Sequence, residues 1–490
     1  MTVSWPDRII ETGALAVLVF TPLAFGTVEP WSEAIAELVI VGMAVTYVVR
    51  NLRDWEFRVE LPPGWLPSVL FLVLITLPVV LPGWSLDPHA TRRAALKLLA
   101  VATFVLICYN TYRTRAQVRR AVWTMTITGT MIALFGVVQR LTWNGRLYWV
   151  GPESPSANAF GPFVNRTHFA GLMAIVVPAA LALALARPGG ARWKYPSAPR
   201  WRDRFRTWNS RDGDARSLVP LLILVMGGAA LASGSRGGAV SLLVALTVMT
   251  LGFVAAGKRS RGRAARLALA VVFIVLTGFW IGSDVLYGTV GRLAEEIGRP
   301  GESQRVQVWA DALALWRGFP LRGTGLDTFG VAFPGVRTVR APVVFDHAES
   351  DWVQLLTDTG ALGLLLALTA VSVVARALFR ERPRGIVLAG RGALLGTVVQ
   401  GIGNYNLPIM SNSIYLGLIV VLALTMDPEL SWEARRGDAP RADSARPVSR
   451  SPVEIVTPRR IVESNAGAFQ RSNRADAART PGSMIHGEPR

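Results

Sequence analysis

The alternation of long apolar runs with short charged loops is the feature that most constrains this chain. A run of about 17–25 apolar residues is long enough to cross the hydrocarbon core of a bilayer. The chain is 51% hydrophobic and only 17% charged, a composition that soluble domains rarely have. We therefore expect an all-α, polytopic membrane protein whose helices contact the lipid bilayer. Twelve spans are predicted, at 9–28, 31–49, 65–82, 94–112, 118–140, 167–186, 217–233, 236–256, 266–283, 351–377, 386–403 and 412–427.

Lysine and arginine are concentrated in every second loop, and this layout predicts the orientation of the chain. Cytoplasmic loops carry the excess of these residues, so the basic loops and both termini are predicted to be cytoplasmic. The same layout explains the net charge of +19, so nucleic acid is not an expected partner. The basic segments follow spans two, four, six, eight and ten, at 50–58, 113–120, 187–216, 258–266 and 376–391.

The loops also divide the chain into segments of different character. A helix predicted at 302–317, between Gly- and Pro-rich flanks, indicates a folded cap between spans nine and ten rather than a linker. The C-terminal tail has almost no apolar periodicity and is predicted to be disordered and cytoplasmic. The start of the chain lacks the layout of a cleaved signal peptide, so we expect the first span to be retained. The predicted segments are 1–283 with spans one to nine, the cap 284–350, 351–427 with spans ten to twelve, and the tail 428–490.

Polar clusters at the ends of several spans lie on the face predicted to point away from the cytoplasm. Asn165, Arg166 and His168 begin span six, where such side chains suit a phosphate or a sugar. Interfacial anchoring together with a helix cap explains Asn165 and Arg166 equally well, because arginine at a membrane edge commonly extends to the interface. Asn404 and Tyr405 follow span eleven and suit a polar pocket, although an interfacial aromatic belt also explains Tyr405.

Two arginines on this face suit a bound anion. Arg236 lies in a tight, glycine-rich turn, where backbone N–H groups can hold an anion beside the guanidinium. An ordinary exposed turn is the alternative, but a lone arginine in an outer loop runs against the usual charge bias. Arg305 and Trp309 are four residues apart and share a helix face, an arrangement that suits a pyrophosphate beside a sugar. A solvated charged face is the alternative, above all for Arg317.

His347 and Glu349 precede span ten and are the candidates for acid–base chemistry. Histidine accepts a proton near neutral pH, and Glu349 either orients it or acts as the base itself. A helix N-terminus rich in acids explains the neighbouring Asp351 but not His347. No spacing suits a metal site or a P-loop, so no metal and no cofactor are expected. The single Cys108 excludes a disulfide framework within the chain.

Five motifs follow one another in a fixed order between about residues 120 and 427. They are Phe163-Val-Asn-Arg-Thr-His-Phe-Ala-Gly171, Ser233-Gly-Ser-Arg-Gly-Gly238, Arg305 with Trp309, Gly323-Thr-Gly-Leu-Asp-Thr-Phe329, and Asp346-His-Ala-Glu-Ser-Asp-Trp-Val-Gln354 followed by Thr359-Gly-Ala-Leu-Gly363. In this order they resemble the bacterial O-antigen ligase and O-antigen polymerase family.

The resemblance implies a metal-independent glycosyltransferase with a GT-C-like fold in the bacterial inner membrane. Such enzymes move a glycan from undecaprenyl diphosphate to an acceptor at the periplasmic face. By motif position, Arg236 and Arg305 would bind the donor pyrophosphate and His347 would belong to the catalytic segment. Many members carry a second histidine followed by asparagine where this chain has Glu349 and Ser350. The base is therefore His347, Glu349, or the two together.

Three functions remain open at this point. A ligase would use lipid A-core or another surface acceptor, and a polymerase of O-antigen or exopolysaccharide would use another lipid-linked repeat unit. A transporter for a small anion is the alternative from a different class. It predicts charges near the membrane midplane and broken helices, whereas the candidate charges here cluster at one face.

Overall fold

The computed structural model describes the greater part of the predicted membrane domain and part of the cap. The predicted ninth span, the first part of the cap and the tail lie outside the described residues. Those described are 5–53, 59–81, 83–151, 159–185, 211–257, 304–339 and 344–426, with the isolated positions 262 and 268.

Within these ranges the chain is helical and forms no β-strand. Helices occupy eleven of the twelve predicted spans, and seven of them are long and apolar enough to cross a membrane. The all-helical, membrane-type fold is thus confirmed, while the count of twelve spans and the GT-C-like fold stay predictions. The helices are α1 (Trp5–Leu23), α2 (Pro30–Arg53), α3 (Trp65–Val80), α4 (Pro88–Thr111), α5 (Arg115–Leu141), α6 (Arg166–Leu185), α7 (Arg211–Ala232), α8 (Arg236–Ala255), α9 (Gln304–Gly318), α10 (Phe329–Ala332), α11 (Asp351–Arg380), α12 (Gly385–Gly403) and α13 (Met410–Thr425).

Helix α6 forms the centre of the bundle. Nearly all of its side chains from Phe169 to Leu185 are buried, as expected for a helix that is apolar on every side. It packs against α5, α7, α8 and α12. The first turn of α6, with Arg166 and His168, is therefore fixed by helices on several sides.

Helices α8 and α12 approach each other closely because glycines line their contact. A Cβ atom on Gly392 would lie 2.6 Å from the carbonyl oxygen of Ala245, and one on Gly396 would lie 2.7 Å from that of Ser241. Small residues four apart allow such close approach of helices in membranes. This contact sets the position of α12, whose C-terminal end carries the loop described below.

Gly396→Val is expected to lower the apparent unfolding temperature of the purified protein in detergent. The added side chain must displace the α8 backbone, and overpacking of this kind costs about 1–3 kcal/mol. Gly42→Val in α2 is the matched control, since a Cβ atom at Gly42 meets nothing within 4 Å among the described residues. Equal unfolding temperatures for the two variants would contradict the close α8–α12 contact.

Helix α11 is broken at Gly360, where the sequence predicts an uninterrupted span at 351–377. Gly360 has φ 68° and ψ −173°, a conformation outside the helical region that glycine adopts readily. The loop 320–325 enters the break and takes over the lost hydrogen bonds. Irregular backbone at this depth is tolerated when it is paired within the protein. The bonds run from Ala361 N to Pro320 O (2.9 Å), from Thr324 N to Thr357 O (3.0 Å) and from Gly325 N to Asp358 O (3.0 Å).

The turns that the charge pattern assigns to the outer face meet at one end of the bundle, here called the outer end. Leu86 N donates to Thr324 O (2.9 Å), and Asp351 N donates to Asn404 O (3.1 Å). At the opposite end, Arg120 pairs with Glu11 at 2.6 Å. The candidate site residues thus share one end of the molecule.

The helix predicted at 302–317 corresponds to α9 (Gln304–Gly318), which confirms a helical element within the cap. Its apolar side forms a small cluster with the segment that follows it. That cluster consists of Val308, Ala312, Leu315, Phe329, Phe333, Val339 and Ala348.

Candidate functional site

Two histidines from distant parts of the sequence meet at Tyr405. The His347 ring stacks on the Tyr405 ring, with 3.9 Å between the centroids and 9° between the planes. The His168 side chain donates a hydrogen bond to the backbone of Tyr405 and interacts electrostatically with His347. Three of the sequence motifs therefore meet at one residue, Tyr405, whose side chain is half-buried in the α12–α13 loop.

The loop that carries Tyr405 is held by Asp351. One carboxylate oxygen of Asp351 accepts hydrogen bonds from the backbone N–H groups of Asn406 (2.8 Å) and Leu407 (3.1 Å). The sequence analysis explains Asp351 by the dipole of its own helix, whereas the N-cap of α11 is Ser350. Asp351 instead fixes the loop 404–407 against the start of α11.

Arg305 and Trp309 hold α9 over this loop. Arg305 Nη1 donates to the carbonyl oxygen of Gly403 at 3.1 Å, and Trp309 Nε1 donates to that of Ala348 at 2.9 Å. Arg305 Nη2 also lies 3.5 Å from Glu349 Oε2, with the two side chains 51% and 40% exposed. An ion pair this exposed is weak, so the guanidinium stays accessible to an anionic ligand.

The start of α8, which carries Arg236, meets the same loop. It begins α8, where the Ser235 hydroxyl caps the helix by accepting from Gly238 N at 3.1 Å. A Cβ atom on Gly237 would lie 1.8 Å from Asn404 Nδ2, so the start of α8 is in direct contact with Asn404. The helix start that carries Arg236 and the side chain of Arg305 therefore both lie against the segment 403–404, together with the positive end of the α8 dipole.

The chemistry of His347 is set by its surroundings. Burial lowers the pKa of His347 below its ordinary value, although the nearby carboxylates of Asp327, Asp346 and Glu349 act in the opposite direction. Its Nδ1 atom is buried and has no hydrogen-bond partner among the described residues. A neutral imidazole with an unoccupied nitrogen is suited to accept a proton.

The remaining sequence-predicted residues lie at the edge of this site. Asn165 Oδ1 accepts from Thr167 N at 2.9 Å, so its side chain caps α6, one of the two roles that the sequence leaves open. Arg166 is half-buried in the first turn of α6. Arg317 is exposed at the end of α9 and makes no contribution to the convergence on Tyr405.

Asp327 and Lys97 are the site residues that the sequence analysis does not assign. Both line one cavity with Tyr405, and both interact electrostatically with His347. Lys97 Nζ also lies 3.1 Å from a carboxylate oxygen of the buried Glu33. Two features of the sequence could have indicated these residues. Lys97 is a lone lysine within predicted span four, where a charge is commonly functional, and Asp327 is the acid of the 323–329 motif.

The cavity has a volume of about 260 Å³ and lies between α3, α4, α11 and the α12–α13 loop. Lys97, Asp327 and Tyr405 provide polar groups, and apolar side chains form most of the remaining wall. A polar group next to an apolar wall suits an amphiphilic molecule. The apolar wall includes Phe71, Leu98, Leu326, Leu355, Ala367 and Leu407. Within the described residues, no cluster of three or more His, Cys, Asp or Glu side chains could hold a metal ion.

Residues 221–368 match the family described as O-antigen ligase. The matched segment contains Arg236, Arg305, Asp327, His347 and Glu349, so it covers most of the site. No curated protein matches the chain. Over residues 221–368, this match confirms the resemblance predicted from the order of the motifs.

Proposed function

We propose that this chain, which carries an O-antigen ligase domain, transfers a glycan from undecaprenyl diphosphate to a hydroxyl group of an acceptor. The transfer takes place at the periplasmic face of the bacterial inner membrane. The observation that carries this proposal is that the start of α8 with Arg236, the side chain of Arg305 and the ring of His347 all meet one loop, at residues 403–405. Two cations and a neutral base around one loop match the needs of a reaction whose leaving group is a pyrophosphate.

The arginines bind and stabilise the leaving group in this proposal. Arg236 and Arg305 donate charge-assisted hydrogen bonds to the phosphate oxygens, and the N–H groups at the start of α8 add to the positive potential. Negative charge grows on the pyrophosphate as the glycosidic bond breaks. The arginines therefore bind the transition state more strongly than the ground state, which is the condition for catalysis.

His347 accepts the proton of the acceptor hydroxyl group. The acceptor oxygen forms a bond to the anomeric carbon while the bond from that carbon to the pyrophosphate oxygen breaks. The electron pair leaves with the pyrophosphate, and the proton passes to the imidazole. Attack opposite to the leaving group inverts the anomeric configuration, so retention in the product linkage would contradict this single displacement.

The pH dependence of transfer follows from the environment of His347. The base must be neutral, and burial lowers its pKa below the ordinary value of 6.5, so activity persists into mildly acidic solution. We expect the acid limb of kcat, measured between about pH 4.5 and 8, to have its midpoint below 6.5. A midpoint above 6.5 would contradict the assignment of His347 as the base.

Deletion of the gene tests the function and separates the two acceptor classes. Lipid-linked and surface glycans are extracted from the deletion strain and from the same strain complemented with wild-type protein. Intact polymer retained on the polyprenyl carrier in the deletion strain indicates a ligase, and single repeat units on the carrier indicate a polymerase. Unchanged glycans in the deletion strain would contradict both, and would favour an anion transporter.

A further inference from the structure

Three hydrogen bonds, two of them fully buried, join the segment of Asp327 to the segment of His347. Asp327 N donates to Asp358 Oδ2 at 2.9 Å, and Gln354 Nε2 donates to the same oxygen at 3.0 Å. Ala348 N then donates to Gln354 Oε1 at 2.8 Å. Gln354 and Asp358 are one turn apart on α11 and are 4% and 3% exposed. One face of α11 therefore fixes both segments relative to each other.

The backbone of Asp327 is held in an unfavourable conformation. Its φ is 61°, in the left-handed region that residues other than glycine rarely adopt. Neighbouring hydrogen bonds keep it there, including one from the Thr91 hydroxyl to the carbonyl oxygen of Leu326 at 2.9 Å. Strain of this kind persists where surrounding structure enforces it, and it is concentrated at functional sites.

Asp327 and His347 both lie near Tyr405. Asp327 lines the cavity beside Tyr405, the residue on which His347 stacks. A Cβ atom on Gly330 would lie 3.4 Å from the Cα atom of Asp346, so the turn after Asp327 packs against the residue before His347. Two independent contacts thus place the two segments side by side.

Glu349 shares the left-handed backbone, with φ 54°, but its side chain has a different environment. It pairs with Arg305 at 3.5 Å and is 40% exposed. Water and the neighbouring arginine both screen the charge of this carboxylate. It therefore stabilises an imidazolium less than a buried carboxylate does. Of the carboxylates that act on His347, Asp327 has the strongest electrostatic effect.

We propose that Asp327, rather than Glu349, is the positioning carboxylate for His347 during glycan transfer. This inference rests on the function proposed above. Asp327 stays ionised throughout, and His347 takes the proton of the acceptor hydroxyl group. The charge of Asp327 then stabilises the imidazolium that forms. The hydrogen bonds through Asp358 and Gln354 hold the segments of Asp327 and His347 in fixed positions relative to each other.

The surroundings of Asp327 act on its pKa in both directions. Burial raises the pKa of Asp327, and Lys97 and Arg93 on α4 oppose this effect. Glu33 on α2 acts in the same direction as burial, and Asp358 on α11 also faces Asp327. His347 in turn faces Asp346, Glu349, Lys97 and His168. Lys97, which forms an ion pair with Glu33, thus acts on both Asp327 and His347.

Asp327→Asn tests the proposal, because asparagine has the same size and tolerates the left-handed backbone. We expect kcat to fall at least about tenfold with the KM for the donor unchanged, as expected when a group that supports proton transfer is lost. Loss of the carboxylate that raises the pKa of His347 should also move the acid limb of kcat to lower pH. A merely structural role for Asp327 would not produce that shift.

Two further variants serve as controls. Glu349→Gln is the comparison variant, and it is expected to lower kcat less and to shift the acid limb less than Asp327→Asn does. Asp327→Gly relieves the strained backbone, so it should unfold at the wild-type temperature or above it while losing activity to the same extent as Asp327→Asn.

Wild-type kcat with an unchanged acid limb in Asp327→Asn would overturn the proposal, and so would a larger loss in Glu349→Gln. The proposed function would still stand after either result if the wild-type protein transfers glycan and the His347→Ala variant does not. Absence of transfer by the wild-type protein would instead overturn the proposed function together with this inference.

Discussion

Replacement of His347 by alanine is expected to lower the rate of glycan transfer by about 10²–10⁴-fold, the usual contribution of a general base. The variant loses the only imidazole whose ring lies on Tyr405 among the described residues. Donor binding should change little, because the arginines that hold the pyrophosphate are untouched. The measurement is transfer from purified lipid-linked glycan in detergent, with donor affinity determined separately.

His347→Phe separates the base from its packing role. Phenylalanine keeps an aromatic ring against Tyr405 but accepts no proton, so this variant should be as inactive as His347→Ala and more stable to heat. His89→Ala is the matched control, since His89 is exposed at the outer end at the start of α4. Transfer above half of the wild-type rate in His347→Phe would show that the base is another group.

The second large effect is expected for the arginines. Arg236→Ala and Arg305→Ala should each lower kcat by about 10²–10³-fold, the magnitude seen when one donor to a developing negative charge is removed. Donor affinity should also fall, because both side chains are proposed to bind the pyrophosphate before it leaves. Rates and donor binding are measured with the same lipid-linked glycan.

Conservative variants and a neighbouring arginine sharpen this test. Arg236→Lys and Arg305→Lys should recover only part of the activity, because lysine keeps the charge but cannot form two parallel hydrogen bonds to a phosphate. Arg317 lies on the same helix as Arg305 and its side chain is exposed, so Arg317→Ala should have the wild-type kcat and donor affinity. Full activity in Arg236→Ala would refute the pyrophosphate role of that side chain.

The sequence predicts the helices well because span length and apolar composition are local properties. It also predicts that Arg236, His168 and His347 share one face, since the charge of the loops assigns each turn to a side. The predicted helix at 302–317 differs from the observed Gln304–Gly318 only at its ends. These features depend on residues close together in the chain.

The features that the sequence does not predict depend on contacts between distant segments. The break at Gly360 lies within a continuous apolar run, and only the insertion of residues 320–325 makes it stable. The stacking of His347 on Tyr405 joins segments from either side of two helices, so no local pattern indicates it. Asp327 lies in a glycine-rich motif that is typical of a turn, and its importance becomes visible only through its neighbours.

The insertion of residues 320–325 into α11 limits how the protein can be recombined. A chimera that exchanges only the cap between two relatives would leave N–H and C=O groups near Gly360 unpaired, at a cost of several kcal/mol per group in an apolar setting. Crossover points should therefore lie before α9 and beyond Gly363, so that the loop and the broken helix are inherited together. By the same reasoning, relatives that differ in acceptor preference are expected to differ in residues 320–325 and in α11 together. Substitutions in the loop alone would not suffice.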